Sequence, residues 1–394
     1  MKLVVQVRLY PDAEQATALA ATLSACNAAA NHIAVVLHEQ KPRTAFDLQK
    51  LVYADVKARF GLSAQPTIRA IKKVFDANKT LRSHLRSGRC GKAGSPRRTR
   101  IEGKPVEFRA DAAQPFDDRC LSWQIPDEGQ SGTVSIWTTS GRLRNIGFRG
   151  SAEQVVRLRE FRKGESDLVF RDGKWFLYAT CDIPDVPVNE NPVGFLGIDL
   201  GIVNIAYTST EVSWSGGATT FRRKKNQHLR TKLQTKSTTS AKRLLKKRSK
   251  KEARFVTDLN HKIAHQIVAE AQRTGHGIAI EDLEGIRERA RLRKPQRATL
   301  NTWAFHQLGT FLEYKAAKAG VPFVRVNPAY TSQTCSQNGC GHCEKANRNR
   351  EKFVCRRCGT ISHADHNASR NIRVFGQIEW DRLAGQKSPV HQAA

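Results

Sequence analysis

The sequence predicts a multidomain α+β protein: helices and a small β-barrel first, then an α/β domain interrupted by a thiol-rich, metal-binding insertion. Three observations predict it. Apolar residues recur at helical spacing between residues 12 and 88. Between about 106 and 192 the pattern alternates instead, as in Thr133-Val134-Ser135-Ile136-Trp137-Thr138. Beyond residue 193, two apolar strands each end on an acid, Asp199 and Glu281, and five of the nine cysteines crowd into residues 335–358.

A chain of 394 residues has room for two or three modest cores. Its 66 Lys+Arg against 36 Asp+Glu leave a net charge of +30, which self-repels unless a polyanion shares the surface. A membrane is not the expected anion, because no 18-residue apolar run and no lipidation signature is present. The opening Met1-Lys2-Leu3-Val4-Val5-Gln6-Val7-Arg8 is too short and interrupted for a signal-peptide core and reads as a strand. Clustered cysteines in odd number point to a reducing compartment and metal binding, not to a disulfide framework. The scattered Cys26, Cys90, Cys120 and Cys181 read as ordinary buried or free thiols.

The first helix starts at Pro11-Asp12, with Leu19, Leu23, Cys26, Ala30, Ile33 and Leu37 as one apolar stripe. A second follows Thr44, capped with Asp47, and stops at Gly61. A third spans about Pro66 to Gly88, with Ile68, Ile71, Phe75 and Leu85 inward and a basic outer face. Residues 88–105, rich in Gly, Ser, Pro and Arg, read as a basic loop. The alternating segment that follows includes the aromatic strand Lys174–Thr180, between Gly173 and Pro184, and its strands are expected to pair with the N-terminal one. Pro184, Pro187 and Pro192 mark a linker.

Val193–Ile198 is a buried-type strand running into Asp199, with Asn204–Thr208 as its hairpin partner. Residues 222–254 hold fifteen Lys/Arg and one acid, Glu252. Read as a single helix, they put Arg243, Lys246, Lys247 and Lys250 on one face, too lopsided for ion pairing and suited to phosphates. That helix is expected to continue through Phe255, Leu259, Ile263 and Ile267 to Gly275. The strand Gly277–Ile280 then delivers Glu281, a basic loop spans Arg287 to Arg297, and a helix carrying Trp303, Leu308 and Leu312 ends at Gly320. Another strand, Val321–Val326, precedes the cysteines, and Asp365 opens a short amphipathic helix.

Carboxylates at strand ends of an α/β sheet lie where such folds gather ligands. Three that converge repel one another and raise each other's pKa unless divalent cations sit between them. Two Mg2+ ions about 4 Å apart, held by Asp199, Glu281 and Asp365, would activate water and stabilise the leaving oxygen of a phosphodiester. Cys355-Arg356-Arg357-Cys358-Gly359 is a zinc-knuckle signature. Cys335 supplies an upstream ligand, with either Cys340 or Cys343 completing four thiolates around one structural Zn2+. His342, His363 and His366 are alternative ligands but read as polar surface residues.

These residues resemble the TnpB family of transposon-encoded RNA-guided nucleases and the related miniature type V CRISPR effectors. The matching pieces are Arg8-Leu9-Tyr10-Pro11 with Gln15; Gly197-Ile198-Asp199-Leu200-Gly201; Ile280-Glu281-Asp282-Leu283; and Thr331-Ser332-Gln333-Thr334-Cys335. Cys340-Gly341-His342 with Lys345-Ala346-Asn347-Arg348, Cys355 to Gly359, and Asp365-His366-Asn367-Ala368-Ser369-Arg370-Asn371-Ile372 complete them. The resemblance implies a first strand of a wedge barrel at 1–10, a helical recognition domain at 11–105 and the wedge β-barrel at 106–192. It further implies a RuvC (RNase H-like) nuclease domain at 193–330, a zinc ribbon at 331–362, the last RuvC helix at 363–376 and a loose tail at 377–394. Two departures stand out: four residues separate Cys335 from Cys340, an expanded knuckle, and His363 stands where the family often has an acid.

The resemblance also implies the partners: a guide RNA, double-stranded target DNA and its displaced single strand, in a prokaryotic, nucleoid-associated cytoplasmic setting. Guide–target pairing reads sequence while the protein holds the heteroduplex by its backbone. The 222–254 helix is the expected channel wall and 284–300 the expected lid. Three other readings stay open: a miniature type V effector with the same chemistry, a guide-free RNase H-like resolvase or transposase, and a non-cutting RNA-guided repressor. The last kind loses one or more acids, and this chain keeps all three.

Overall fold

The structure, a computed structural model, describes residues 1–283 and 305–387. The expected lid at 284–300, the basic loop at 287–297, Trp303 and residues 388–394 lie outside the described residues. The chain divides into two compact units, Met1–Pro184 and Asp185–Ala394.

In the first unit β1 (Lys2–Tyr10) leads into α1 (Ala13–Gln40), α2 (Ala45–Phe60) and α3 (Ala64–Arg86). Asp12 and Gln15 form a capping box on α1, Thr44 and Asp47 the expected one on α2, and α2 ends at Gly61 in a left-handed conformation, φ +62°. The stripe of α1 divides its work: Leu19 and Leu23 enter the core of the β-sheet, while Cys26, Ala30, Ile33 and Leu37 pack on α2 and α3. By length and composition α1 could cross a membrane, but that stripe is buried inside the unit. The basic loop expected at 88–105 contains a short helix, α4 (Pro96–Glu102). Ser95 caps it, Pro96 occupies its first position, and Arg98 pairs with Glu102 one turn on.

Seven strands follow the order β2-β6-β7-β1-β5-β4-β3, with β2 (Gln114–Phe116), β3 (Leu121–Gln124), β4 (Ser131–Thr138), β5 (Gly141–Arg149), β6 (Arg162–Arg171) and β7 (Lys174–Asp182). As expected, the N-terminal strand joins this sheet, antiparallel to both β7 and β5. The edge strands β2 and β3 are joined by only residues 117–120, a reach of less than about 20 Å. The sheet therefore curls until its edges nearly meet, a barrel closed on Val5, Val7, Leu9, Phe116, Phe148 and Leu177. The alternating segment also holds a helix the sequence reading missed, α5 (Ala152–Phe161). Ser151 and Gln154 box its start, and Val155 and Leu158 are its buried pair.

The second unit is built on five strands ordered β10-β9-β8-β11-β12: β8 (Phe195–Asp199), β9 (Asn204–Thr208), β10 (Ser213–Ser215), β11 (Gly277–Glu281) and β12 (Phe323–Val326). The first three form an antiparallel meander, and β11 lies parallel to both β8 and β12. Leu196, Ile198, Ile278 and Ile280 face α7 (Thr239–Thr274) and α8 (Phe305–Ala319). Phe195 and Ala279 face the other way, onto α9 (Ala364–Lys387).

Two expectations are corrected here. The single helix across 222–254 is a hairpin of α6 (Gly217–Lys236) and α7: Ser237 turns left-handed at φ +51° and Thr238 caps α7. Glu252 ties the two helices, accepting from Asn226 at 2.9 Å and facing Arg230 at 3.8 Å. The last helix also runs past residue 376 to Lys387, so 377–387 is not a loose tail. Gly376, inside this helix, is a place of close approach: a Cβ there would overlap the Ala279 side chain. Trp380 and Leu383 continue the buried stripe beyond it.

Gly197 is the matching place on the sheet, where a Cβ would overlap the backbone of Ser369 and Arg373 on α9. Gly197→Ala should therefore lift α9 and cost about 2 kcal/mol or more, whereas Gly385→Ala, with nothing nearby, should be neutral or stabilising by up to ~1 kcal/mol. Urea denaturation of both variants checks this.

Candidate active site and thiol cluster

The period of two along a strand selects the acids' side of the sheet. With Ile198 and Ile280 turned toward α7 and α8, Asp199 and Glu281 turn toward α9. Ile198 and Ile280 are register partners, so the two acids occupy neighbouring positions at the ends of parallel strands. Asp365 stands in the first turn of α9. The structure thus brings Asp199, Glu281 and Asp365 to one end of the unit, each half-buried.

Each acid has its own partners. Thr331, only 2% exposed, donates its hydroxyl to Glu281 Oε1. Asn204 donates its amide to Asp365 Oδ2 at 2.9 Å, and Arg348 lies 3.4 Å from Asp365 Oδ1. Burial drives the Asp199 carboxyl well above its usual range, and the Glu281 and Asp365 charges push it further; Arg348 and the Leu200 N–H pull the other way. Burial also raises Glu281, offset in part by Thr331 and Arg348. Three carboxylates packed this closely do not all ionise unless positive charge joins them.

The four cysteines Cys335, Cys340, Cys355 and Cys358 place their sulfurs within 4.8 Å of one another, and they could hold one metal ion. Cys335 and Cys358 are 3.7 Å apart, as are Cys340 and Cys355. The open choice resolves to Cys340, because Cys343 is exposed and outside the cluster. His342 pairs with Glu344, His363 stacks on Tyr207 at 5.3 Å and His366 faces Glu211, so none belongs to the cluster. The extra residues between Cys335 and Cys340 are taken up by a turn in which Cys340 N–H donates to Gln337. The ribbon strands β13 (Arg348–Asn349), β14 (Lys352–Val354) and β15 (Ile361–His363) bury Phe353 against the sulfurs.

This insertion is fastened to α9, and braced within itself, through side-chain amides. Asn367 accepts from Ser336 N–H and donates to Thr334 O, and Asn371 donates to Thr331 O and Thr334 O. Asn347 bridges Gln333 O, His342 O and Arg356 N–H. Thr331, Arg348 and Asn204 are the site partners that sequence reasoning did not assign. Thr331 and Arg348 fall inside segments singled out by the resemblance, but nothing in their spacing says which acid they touch. Arg243, Lys246, Lys247 and Lys250 are all exposed on α7.

Comparison with known proteins follows the same geography. Residues 178–285 match the family model described as a probable transposase, OrfB_IS605, and residues 305–372 match the Cas12f1-like TNB domain. The CRISPR-associated endodeoxyribonuclease Cas12f1 of Syntrophomonas palmitatica is 32% identical over 224 residues, 52% of this chain and 44% of that protein. A TnpB-like protein of Methanocaldococcus jannaschii is 35% identical over 151 residues, 38% of this chain and 52% of the relative. The chain spans about half the length of these curated relatives. Among solved structures, a Cas12f1-sgRNA-target DNA complex matches with a TM-score of 0.57 at 16% identity, covering 90% of this chain and 82% of that one. The mini-RNA-guided endonuclease CRISPR-Cas_phi3 matches at 0.55 and 11%, covering 95% and 92%. The fold is thus the mixed α+β multidomain architecture of these effectors, and the chain is a relative of the TnpB and Cas12f proteins.

Proposed function

We propose that the chain is an RNA-guided DNA endonuclease of the TnpB type, with Asp199, Glu281 and Asp365 as its metal-binding catalytic acids. The observation that carries this is the meeting of three carboxylates at one end of a sheet in a chain of net charge +30. A buried triple-acid site is costly unless it serves cations, and a strongly basic surface is costly unless it serves a polyanion. Mg2+ held there would supply water activation and neutralisation of the leaving oxygen. The chain's own residues prepare the site: Thr331 aims Glu281, Asn204 and Arg348 hold Asp365 from two sides, and burial limits water access. The partners in this reading are a guide RNA, double-stranded target DNA and its displaced strand, in the cytoplasm and next to a short flanking motif. The Cas12f1 likeness favours a second reading, a miniature type V effector with the same chemistry.

The four sulfurs fit one structural Zn2+, since Zn–S bonds of about 2.3 Å in a tetrahedron put sulfurs ~3.8 Å apart, against 3.7 Å for two of the pairs here. Its role in this proposal is to fold the insertion that carries Arg348 and braces α9.

Asp199→Asn should reduce cutting of guide-matched DNA to background while leaving RNA binding intact; retained cutting would remove Asp199 from the site. The same variant carries a sign test. The folded carboxyl titrates well above its usual range, so metal-free folded protein holds a proton that the unfolded chain releases near pH ~4. Wild-type stability therefore falls as pH rises from about 4 through the folded value. Calorimetry without Mg2+ should show Asp199→Asn more stable than wild type at pH 7.5, the gain fading toward pH 4.

Cys340→Ser should release zinc and lower the melting temperature, whereas Cys343→Ser should keep both, as read by metal analysis and thermal unfolding. Replacing Lys246 and Lys247 by Gln should lower the salt slope of duplex binding by roughly 1.5–2, two phosphate contacts at ~0.9 each; an unchanged slope assigns that face of α7 to solvent.

A further inference from the structure

At the edge of the sheet in the second unit lies a groove that neither the acids nor the thiols use. Among the described residues β12 is the last strand of that sheet, paired with β11 on one side only. Ile278 N–H donates to Pro322 O and Asp282 N–H to Val326 O, both at 2.8 Å. With Ile278 beside Phe323 in a parallel register, the residues of β12 that bond to β11 are therefore Pro322, Val324 and Val326. The N–H and C=O groups of Phe323 and Arg325 point the other way, toward the open edge.

A groove of about 590 Å3 opens at the start of this edge, beside Val321 and Phe323. That volume lies within the roughly 300–1,000 Å3 of binding clefts. Glu313 and Ala317 of α8 line it from one face of the sheet, Trp380 and Leu383 of α9 from the other, and Glu190 lines it from the segment before β8. Trp380 packs on Phe195 with ring centres 6.0 Å apart, and its Nε1–H has no hydrogen bond among the described residues.

This lining selects its occupant. Although 66 of the 394 residues are Lys or Arg, none lines the groove among the described residues, and two acids do. Arg325 satisfies Glu313 at 2.7 Å, whereas Glu190 has no ion pair among the described residues. The acids turn phosphates away and favour a cation. Unpaired strand groups call for a second backbone, and apolar walls on both faces of the sheet call for side chains that alternate above and below it. An extended peptide of apolar and basic residues meets all three demands.

We propose that the open edge of β12 is a docking site for an extended segment of a partner protein, with alternating apolar and basic residues. The segment adds as a further strand beside Phe323 and Arg325, lays apolar side chains on Trp380 and Leu383, and sets a cation against Glu190. The inference goes beyond the proposed function and does not rest on it, since the groove contains none of the three acids and none of the thiols.

The test is fluorescence anisotropy on the full chain without added Mg2+, using a labelled nine-residue peptide of alternating Val and Lys. Two companions isolate its features: the same peptide N-methylated throughout, which lacks the backbone donors, and the same peptide with Glu in place of Lys. Both should bind about 10-fold or more weakly than the parent. Ala317 is exposed on α8, so Ala317→Lys places a cation in the groove and should weaken the parent peptide about 10-fold or more, whereas Ala317→Glu should tighten it. Melting temperatures near wild type show that both variants fold; if Ala317→Lys does not, Glu190→Lys replaces it. Asp199→Asn should leave peptide affinity unchanged. Absence of saturable binding up to about 1 mM peptide, equal binding of the N-methylated peptide, equal affinity with Lys and Glu at position 317, or loss of binding in Asp199→Asn would each overturn the site. So would a dimer in sedimentation that Ala317→Lys dissolves, because the edge would then belong to a second copy of the chain. Retained DNA cutting in Asp199→Asn would remove the proposed active site and leave the docking site standing.

Discussion

The close crossing of α9 over β8 is the contact from which the rest of the second unit follows. Gly197 and Gly376 remove the two Cβ atoms that would hold helix and sheet apart. Only then does the first turn of α9 put Asp365 beside the strand ends that carry Asp199 and Glu281. Ser369 is fully buried at this crossing, and Phe195, Ala279 and Ile372 pack around it. A methyl group at either glycine would move a carboxylate, so the packing of the apolar layer and the geometry of the acids are one constraint.

The site opposes the chain's general electrostatics. A protein of net charge +30 gathers three half-buried acids in one place. In that place burial pushes Asp199 and Glu281 toward their protonated forms, the neighbouring acids add to the push on Asp199, and Arg348, Thr331 and the Leu200 N–H offset it in part. Such an arrangement of acids is costly for stability unless positive charge joins it. The thiol insertion contributes by structure. It supplies Arg348, and its loop backbone receives the amides of Asn367 and Asn371 from α9. The thiol insertion and Asp365 thus share α9 as their common brace.

The basic hairpin shows how tertiary context revises a local pattern. Fifteen cations across 222–254 read as one helix because no proline or glycine interrupts them. The turn at Ser237 is stabilised from both sides, by Thr238 capping α7 and by Glu252 reaching back to Asn226 of α6. The single acid in the run is therefore a clasp between helices, a role that a count of charges does not disclose.

What the sequence by itself determined was the local chemistry. Strand and helix periods, the Thr44–Asp47 cap, the end of α2 at Gly61, Asp199 and Glu281 at strand ends and the Cys355–Cys358 knuckle all depend on neighbours a few residues away. What only the tertiary structure decided depends on distant atoms. Cys340 rather than Cys343 joins the thiols because a turn after Cys335 brings its sulfur inward. Thr331, Asn204 and Arg348 reach the acids across 50, 161 and 17 positions of chain. At Gly376 the last helix lies close against Ala279, a contact no local propensity contains. Short-range preferences are written in the order of residues; which side chains meet is set by how apolar faces exclude water together, and that requires the whole fold.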